Sequence, residues 1–390
     1  MNTKTANNFT WYALTPQDAW FFRDGRPYNK YERETRHTYN NQTDANSQFP
    51  PSPRTLTGAV RAALARANGW NGECRWSDIL NTTFGNGPDN LGVLRFTAPF
   101  LLRNSKDGKD NGPLLPAPLH FLAKSGKPAA LLQPAEPEEK TLTDISPERV
   151  RLPVIATTST DKMPLDGLKS CEAFYVSHAG FEKILAGHLP EKLIHRDELW
   201  TLERRVALER DPDTLNTGEG ALYNPAFVRL AKNISLGFGI AGIPSGFNPV
   251  PSRFILGGES RMALCERIEH SLTFSSSPPP AADTRFAIVA LSPVPCSAIE
   301  KLPGLVSACI GKPLFFGGWD SLTRKPLPLE PFHPPGSVWF CEPQNDGSIT
   351  NNTTSFLRDN FLGDPRHTAH GFGQIALAHW PRNTSTSNAN

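Results

Sequence analysis

The sequence predicts an α+β protein built from two related domains, and three observations support this. The ten residues from Gly258 to Arg267 recur in pattern from Gly371 to Trp380, each copy a glycine turn followed by a strand. After a proline-rich break, hydrophobic periodicity predicts the order βαββαβ, which is typical of a ferredoxin-like (RRM-like) domain with an antiparallel sheet. At 390 residues the chain is long enough for two such cores.

The break at Ser275–Ala282 is polar, small and helix-breaking, which favours a domain linker. We therefore expect an N-terminal ferredoxin-like domain at 1–275 with large insertions, and a linker at 276–283. A C-terminal ferredoxin-like domain at 284–380 carries the glycine-rich loop, and a disordered tail follows at 381–390. The 37 prolines are clustered, which predicts long Pro-rich loops.

The clearest element of the N-terminal domain is a helix that begins at Ser52-Pro53. Serine is a favoured N-cap and proline suits the first helical position, and the helix stops at Gly69. Its apolar face includes Leu56, Val60 and Leu64. The other predicted elements are strands at 9–14, 93–102, 119–123, near 206 and at 222–230, a weak helix at 181–186, and a last strand after Gly257-Gly258.

The C-terminal domain is easier to interpret. Its predicted strands lie at 285–291, 313–318, 337–341 and 374–380. A helix is expected at 297–310 and another at about 354–362, the second closed by Gly363.

Charge and cysteine content limit the class of protein. The formal charge of +2 does not indicate nucleic-acid binding through net charge, so any polyanion site must be a local patch. Six scattered cysteines without a C-x-x-C pair predict free thiols in a reducing compartment. Since there is neither a secretory signal nor an apolar run of membrane-spanning length, we expect a cytoplasmic protein without a membrane partner.

Signatures of catalysis or of a cofactor are missing. The sequence has no G-x-S-x-G, HExxH or phosphate-binding P-loop motif. The pair His367-x-x-His370 could seat two metal ligands, but its setting favours solvated loop histidines. We therefore predict no catalytic residue, no metal and no cofactor.

A basic patch interleaved with aromatic residues lies near the N-terminus. Residues 23–66 contain eight Lys or Arg against four Asp or Glu, beside Trp20, Phe21 and Phe22. Such a mixture is typical of single-stranded nucleic-acid binding. The alternative is a strand end whose aromatics enter the core and whose arginines pair with Asp18 and Asp24, and composition leaves the two even.

Two segments in this region also carry a family resemblance. The residues Pro16, Asp18, Phe22, Arg23, Asp24, Arg26 and Pro27, followed by Phe49-Pro-Pro-Ser-Pro-x-Thr-x-x-Gly58, resemble the family of the third subunit of the type III-B CRISPR effector, the Cmr complex. That family belongs to the RAMP superfamily of RNA-binding proteins. The resemblance continues at 219–223, 256–261, 311–320 and 371–373, so it spans nearly the whole chain.

This resemblance implies a non-catalytic RNA-binding subunit in antiviral defence. Such a subunit holds the 5′ handle of the CRISPR RNA and bridges the large cyclase-bearing subunit to the backbone subunits. It also implies a thumb-like hairpin at 203–223 and a glycine loop before the last strand. The loops and the basic patch together give the predicted RNA-binding set: Arg23, Arg26, His37, Arg54, Arg61, Arg205, Gly257, Gly258, Ser260, Arg261, Gly371, Phe372, Gly373 and Gln374.

Two other functions remain open. The first is a RAMP endoribonuclease that processes precursor CRISPR RNA without metal, with His37 or His370 as general acid or base at a 2′-hydroxyl. The second is a protein scaffold that retains no handle RNA.

Overall fold

The computed structural model describes residues 9–25, 44–73, 75–104, 111–136, 140–142, 150–155, 166–208, 213–214, 216, 222–269, 285–300, 302–320, 323–342 and 360–380. Strands outnumber helices throughout these ranges, and the predicted α+β class is confirmed. The predicted linker and tail, Arg26, His37 and most of the predicted helix at 354–362 lie outside them.

The helices are α1 (Pro53–Ala67), α2 (Asp78–Phe84), α3 (His178–Leu185), α4 (Cys296–Ile299) and α5 (Pro365–Thr368), with a 3-10 turn at Arg196–Glu198. The strands are β1 (Thr10–Pro16), β2 (Asp44–Ala45), β3 (Arg95–Phe96), β4 (Phe100–Arg103), β5 (Gly112–Pro116), β6 (Phe121–Lys124), β7 (Lys127–Pro134), β8 (Lys140–Thr141), β9 (Val150–Arg151), β10 (Pro153–Ile155), β11 (Leu168–Ser170), β12 (Phe174–Ser177), β13 (Ile194–His195), β14 (Trp200–Arg204), β15 (Ala207–Leu208), β16 (Leu222–Leu230), β17 (Ile234–Ala241), β18 (Arg253–Ile255), β19 (Met262–Ile268), β20 (Phe286–Ala290), β21 (Val294–Pro295), β22 (Leu305–Cys309), β23 (Leu314–Asp320), β24 (Lys325–His333), β25 (Val338–Cys341) and β26 (Ile375–His379).

The chain forms two compact units, each assembled from three stretches of sequence. Unit 1 comprises Met1–Leu94, Asp197–Ile268 and Phe315–Glu330, and unit 2 comprises Arg95–Arg196, Glu269–Leu314 and Pro331–Asn390. Each unit takes residues from both sides of the predicted linker. This division by contacts therefore differs from the contiguous domains that the sequence suggested, which stay a prediction.

Unit 1 is built on antiparallel strands and the long helix α1. Strand β1 lies between β17 and β19, and β18 pairs with β19. Strand β16 pairs antiparallel with β14 and with β15, and parallel with β2. The predicted cap of α1 is confirmed, because Ser52 Oγ accepts a hydrogen bond from the Arg54 N–H at 3.3 Å.

Unit 2 contains the antiparallel sheet β22-β25-β20-β26. Its core includes Ile288, Trp339, Leu362 and Ile375, all nearly inaccessible to solvent. The two repeated glycine segments therefore lead into equivalent strands, since β19 pairs antiparallel with β1 and β26 pairs antiparallel with β20. Each is the partner of the first strand in its half of the sequence.

Three predicted elements of the fold need correction. The helix expected at 297–310 ends at Ile299, and β22 follows, because Pro303 and Gly304 interrupt the helix and Gly304 has φ of +69°. Strand β23 matches the strand predicted at 313–318, but it joins β24 and β21 instead of the sheet of β20. The strand expected at 93–102 is two short strands, β3 and β4, separated around Pro99.

Candidate nucleic-acid interface

Five charged side chains from four separate segments meet in unit 1. Asp18 follows β1, Glu203 and Arg205 belong to the β14–β15 segment, Arg229 lies on β16, and Arg261 precedes β19. We call these five residues the arginine cluster.

Two carboxylates and two arginines of the cluster form a closed ring. Asp18 accepts hydrogen bonds from Arg205 Nη2 and Arg229 Nη2, each at 2.9 Å. Glu203 accepts from Arg205 Nε at 2.7 Å and from Arg229 Nε at 2.6 Å. Arg261 joins from outside the ring, with Nη1 at 3.4 Å from Asp18 Oδ2. Each arginine of the ring is therefore held by two carboxylates at once.

A buried ring supports two of the guanidinium groups. The guanidinium carbons of Arg205 and Arg261 lie 4.8 Å and 4.4 Å from the centroid of Phe227. Phe227 is 2% exposed and packs against Phe21 at 5.6 Å between ring centroids. These cation–π contacts restrict the side chains further.

Backbone hydrogen bonds fix the segments that carry the cluster. Trp20 N donates to Val228 O at 3.0 Å, and Val228 N returns a hydrogen bond to Trp20 O at 2.7 Å. Gly258 N donates to Phe21 O at 2.8 Å. Gly257 has φ of +85°, and a Cβ there would lie 2.5 Å from Phe21 O, so glycine allows this close approach.

The cluster has three cationic groups against two anionic ones. Side-chain hydrogen bonds from Arg205 and Arg229 hold the pKa of the Asp18 carboxyl below its usual value, and bonds from Arg229 and Arg205 lower the pKa of Glu203. Both carboxyls are therefore ionised at neutral pH. The exposed fractions of Arg205, Arg229 and Arg261 are 31%, 43% and 28%, so solvent and a ligand can reach them. Such a surface is suited to binding phosphate groups.

The structure brings together five residues of the predicted RNA-binding set here: Arg205, Gly257, Gly258, Ser260 and Arg261. The sequence reasoning missed Glu203, Arg229 and Phe227 as site residues, because they meet only through the pairing of β14 with β16. One of the two alternatives was that Asp18 pairs with arginines of the neighbouring basic patch, but in the structure its partners are Arg205, Arg229 and Arg261, far along the chain. Its place in the Pro16–Pro27 motif was the available signal.

The basic patch itself is divided between surface and core. Trp20, Phe21 and Phe22 are 0%, 6% and 4% exposed, so the alternative that these aromatics enter the core is confirmed. Arg23 is exposed and forms a β-bridge with Ser47. Arg54 Nη2 lies 3.2 Å from Asp89 Oδ1. RNA contact by Arg23 and Arg54 stays a prediction.

The Arg61 guanidinium is enclosed by backbone carbonyl groups. It donates to the carbonyls of Phe84, Gly85, Gly87 and Asn90 at 2.7–3.2 Å. Burial lowers the pKa of Arg61 to about 10. This side chain organises the loop after α2, and its predicted RNA contact has no geometric support within the described residues.

The C-terminal glycine loop of unit 2 uses its backbone donors internally. The N–H groups of Gly371, Phe372 and Gly373 donate to the carbonyls of Thr368, His367 and Pro293. Gln374 N donates to Ser292 Oγ at 2.8 Å. These four donors were expected to face phosphates, and in the structure each one has an acceptor within the chain.

The side chains of this loop are also packed inside unit 2. Phe372 is fully buried and stacks on Phe332 at 4.6 Å between ring centroids. Gln374 Oε1 accepts from Ala98 N at 3.3 Å. A Cβ on Gly371 would lie 2.3 Å from Ala98 N, and one on Gly373 would lie 1.9 Å from Leu362 O. The loop therefore has a packing role, and RNA contact by it stays a prediction.

The histidine pair and the potential metal ligands were checked against the structure. His367 and His370 are 2% and 3% exposed, so they are core residues and the expectation of solvated histidines is wrong. Within the described ranges, no group of three or more His, Cys, Asp or Glu side chains could hold a metal ion. None of the helices described is long and apolar enough to cross a membrane.

Comparison with solved structures finds similarity to chains of CRISPR complexes. A chain of the Type III-B Cmr-beta bound to cognate target RNA is 13% identical, with a TM-score of 0.47, covering 94% of this chain and 96% of that chain. A chain of the Csm3-Csm4 subcomplex of the type III-A CRISPR-Cas interference complex is 13% identical, with a TM-score of 0.35, covering 86% and 95%.

Comparison at the level of sequence gives two further findings. No curated protein matches the chain. In contrast, the profile of the CRISPR-associated protein (Cas_Cmr3) family matches residues 12–380. That range includes both glycine segments, the Pro16–Pro27 motif and all five residues of the arginine cluster. The chain therefore belongs to the CRISPR-associated Cas_Cmr3 family, that of the third subunit of the type III-B Cmr effector.

Proposed function

We propose that this protein is a non-catalytic, cytoplasmic RNA-binding subunit of a type III-B CRISPR effector, and that its arginine cluster binds the 5′ handle of the CRISPR RNA. The observation that carries the proposal is the meeting of Arg205, Arg229 and Arg261, from distant parts of the sequence, on one accessible surface. Family membership supplies the biological setting.

The chemistry of the cluster supports RNA in particular. Guanidinium groups donate several hydrogen bonds in a plane, which matches phosphate oxygens, and their faces can stack on unpaired bases. A single-stranded handle exposes both phosphates and base faces, so one arginine surface can use both.

Removal of two cluster arginines tests the proposal. Arg205→Ala with Arg229→Ala should weaken binding of a synthetic single-stranded handle RNA by at least about tenfold, as charge-assisted contacts are lost. The salt dependence should also flatten, by about 0.7 in slope for each lost phosphate contact. Fluorescence anisotropy over a range of salt concentrations measures both quantities.

A matched control separates the site from net charge. Arg75→Ala with Arg253→Ala removes two exposed arginines of unit 1 outside the cluster and outside the basic patch, and should change affinity little. Equal losses in the two double variants would mean that only net charge matters. Unchanged binding by the cluster variant would exclude the cluster as the RNA surface.

The non-catalytic assignment has its own test. We expect no cleavage when the protein is incubated with a repeat-containing RNA in EDTA. Metal-independent cutting that disappears in His370→Ala or His37→Ala would establish the endoribonuclease alternative. His370 is 3% exposed, which is unfavourable for a group that must reach a 2′-hydroxyl.

Assembly and fold complete the proposal. We infer that the protein bridges the large cyclase-bearing subunit and the backbone subunit, which co-purification with each separately would test.

The antiparallel order β22-β25-β20-β26 supports a ferredoxin-like unit in the C-terminal half, with α4 reduced to a single turn.

A further inference from the structure

We infer that Asp18 and Glu203 are positioning residues, which hold Arg205, Arg229 and Arg261 as one preformed phosphate-binding surface and remain in place when RNA binds. The inference rests on the proposed function of the cluster. It assigns a favourable role in binding a polyanion to two negatively charged side chains, which Coulomb repulsion alone would not predict.

The ring geometry is the first support. Arg205 and Arg229 each use Nε for Glu203 and Nη2 for Asp18, so rotation of either guanidinium breaks hydrogen bonds to both carboxylates. Within the described part of the chain, Nη1 of both arginines takes no part in the ring. These groups supply donors for a phosphate while the ring stays closed.

The carboxylates are anchored through their backbones, which is the second support. Gln17 N donates to Met262 O at 3.2 Å and Trp20 N donates to Val228 O, so both sides of Asp18 are tied to neighbouring strands. Glu203 lies within β14, paired in register with Phe227. Since the backbones of both carboxylate residues are tied to neighbouring strands, the ring holds the arginines next to the sheet before any ligand arrives.

Contacts with Phe227 are the third support. Arg205 and Arg261 both lie over its ring, and Arg261 also contacts Asp18. An arginine side chain otherwise loses much rotamer freedom when it is ordered by a ligand. In this cluster, the arginine side chains are already ordered in the folded protein. RNA binding therefore costs less side-chain conformational entropy.

A positioning role and simple Coulomb attraction predict opposite changes in RNA affinity for one substitution. Asp18→Asn removes a negative charge, and Coulomb attraction alone would strengthen RNA binding. If Asp18 positions the arginines, the same variant weakens binding of the synthetic single-stranded handle RNA, by about tenfold. Glu73→Gln makes an equal charge change at an exposed site outside the cluster and should leave affinity unchanged or slightly higher.

A double-mutant cycle separates positioning from general structural damage. Asp18→Asn is combined with Arg205→Ala and Arg229→Ala in the full-length protein, and RNA affinity is measured for all combinations. A positioning residue acts through the arginines, so Asp18→Asn should have a clearly smaller effect in the double arginine variant, where only its contact with Arg261 at 3.4 Å remains. Equal losses in both backgrounds, or tighter binding by Asp18→Asn, would overturn the inference.

Two additional variants keep the inference testable if Asp18→Asn folds poorly. Glu203→Gln removes the other carboxylate of the ring and should weaken binding similarly, and Asp18→Glu should restore part of the lost affinity because the charge is kept. Failure of both expectations would also overturn the inference. If the double arginine variant itself binds RNA normally, the proposed function fails; if only the carboxylate variants bind normally, the positioning role alone fails.

Discussion

At the scale of single residues, two arginines on α1 show how different the environments of similar side chains can be. Arg61 is enclosed by four carbonyl groups of the loop after α2, whereas Arg66, five residues later, is exposed and lies over Trp70 at 5.0 Å. The sequence places both in one basic patch. Only the loop geometry distinguishes them.

Replacement of Arg61 should therefore affect folding more than binding. Arg61→Met leaves several buried carbonyls without donors and should lower the free energy of unfolding by about 3 kcal/mol. Arg66→Met, on the same helix, should cost less than about 0.5 kcal/mol. Urea denaturation measures both. Equal stability of the two variants, with RNA binding lost only in Arg61→Met, would instead assign Arg61 to the RNA site.

At the scale of elements, glycines at two positions are predicted to behave oppositely. Gly373 has φ of +73°, and a Cβ there would lie 1.9 Å from Leu362 O. Gly58 lies inside α1, where an added Cβ would meet no described atom within 4 Å apart from the neighbouring backbone of the helix itself. The first glycine is required by close packing, whereas the second only lowers helix propensity.

Alanine at these two positions tests that distinction. Gly373→Ala should destabilise the protein by at least about 2 kcal/mol, because the backbone is strained and Leu362 must move. Gly58→Ala should stabilise it by about 0.5–1 kcal/mol. Thermal unfolding gives both values. A Gly373→Ala protein of normal stability that fails to capture RNA would support a direct role of the loop in binding.

Local elements were predictable from the sequence, whereas contacts between distant strands were not. Helix α1 depends on its own cap and periodicity, and the strand predicted at 222–230 matches β16 in full. The helix predicted at 297–310 was wrong after Ile299, because Pro303 and Gly304 interrupt it and the residues that follow pair with β25 as β22. The arginine cluster combines β1, β14, β16 and the loop before β19, and no local pattern in the sequence specifies that combination.

At the scale of the whole molecule, the described cysteines report on the integrity of both units. Burial raises the pKa of Cys171 to about 11 and the pKa values of Cys265 and Cys309 to about 12, and it raises that of Cys341 as well. All are free thiols. Their reactive thiolate form is therefore scarce at pH 8.

Alkylation should consequently distinguish the folded protein from the unfolded one. With iodoacetamide at pH 8, peptides containing these four cysteines should stay unmodified in buffer and react fully in urea. Half-buried Cys296 should show an intermediate rate. Peptide mass spectrometry follows each site separately, and rapid modification of Cys265 in buffer would show that the sheet of unit 1 opens readily.

The interleaving of the two units has a consequence for biosynthesis. Unit 1 takes its last stretch from Phe315–Glu330, so its first 94 residues leave the ribosome long before the unit can be completed. At usual rates of translation that interval is on the order of ten to fifty seconds. During much of it, β1 lacks β17 and β19, the two strands that pair with its edges in the folded protein. Newly made chains of this protein must therefore be kept from aggregating until most of the mRNA has been translated.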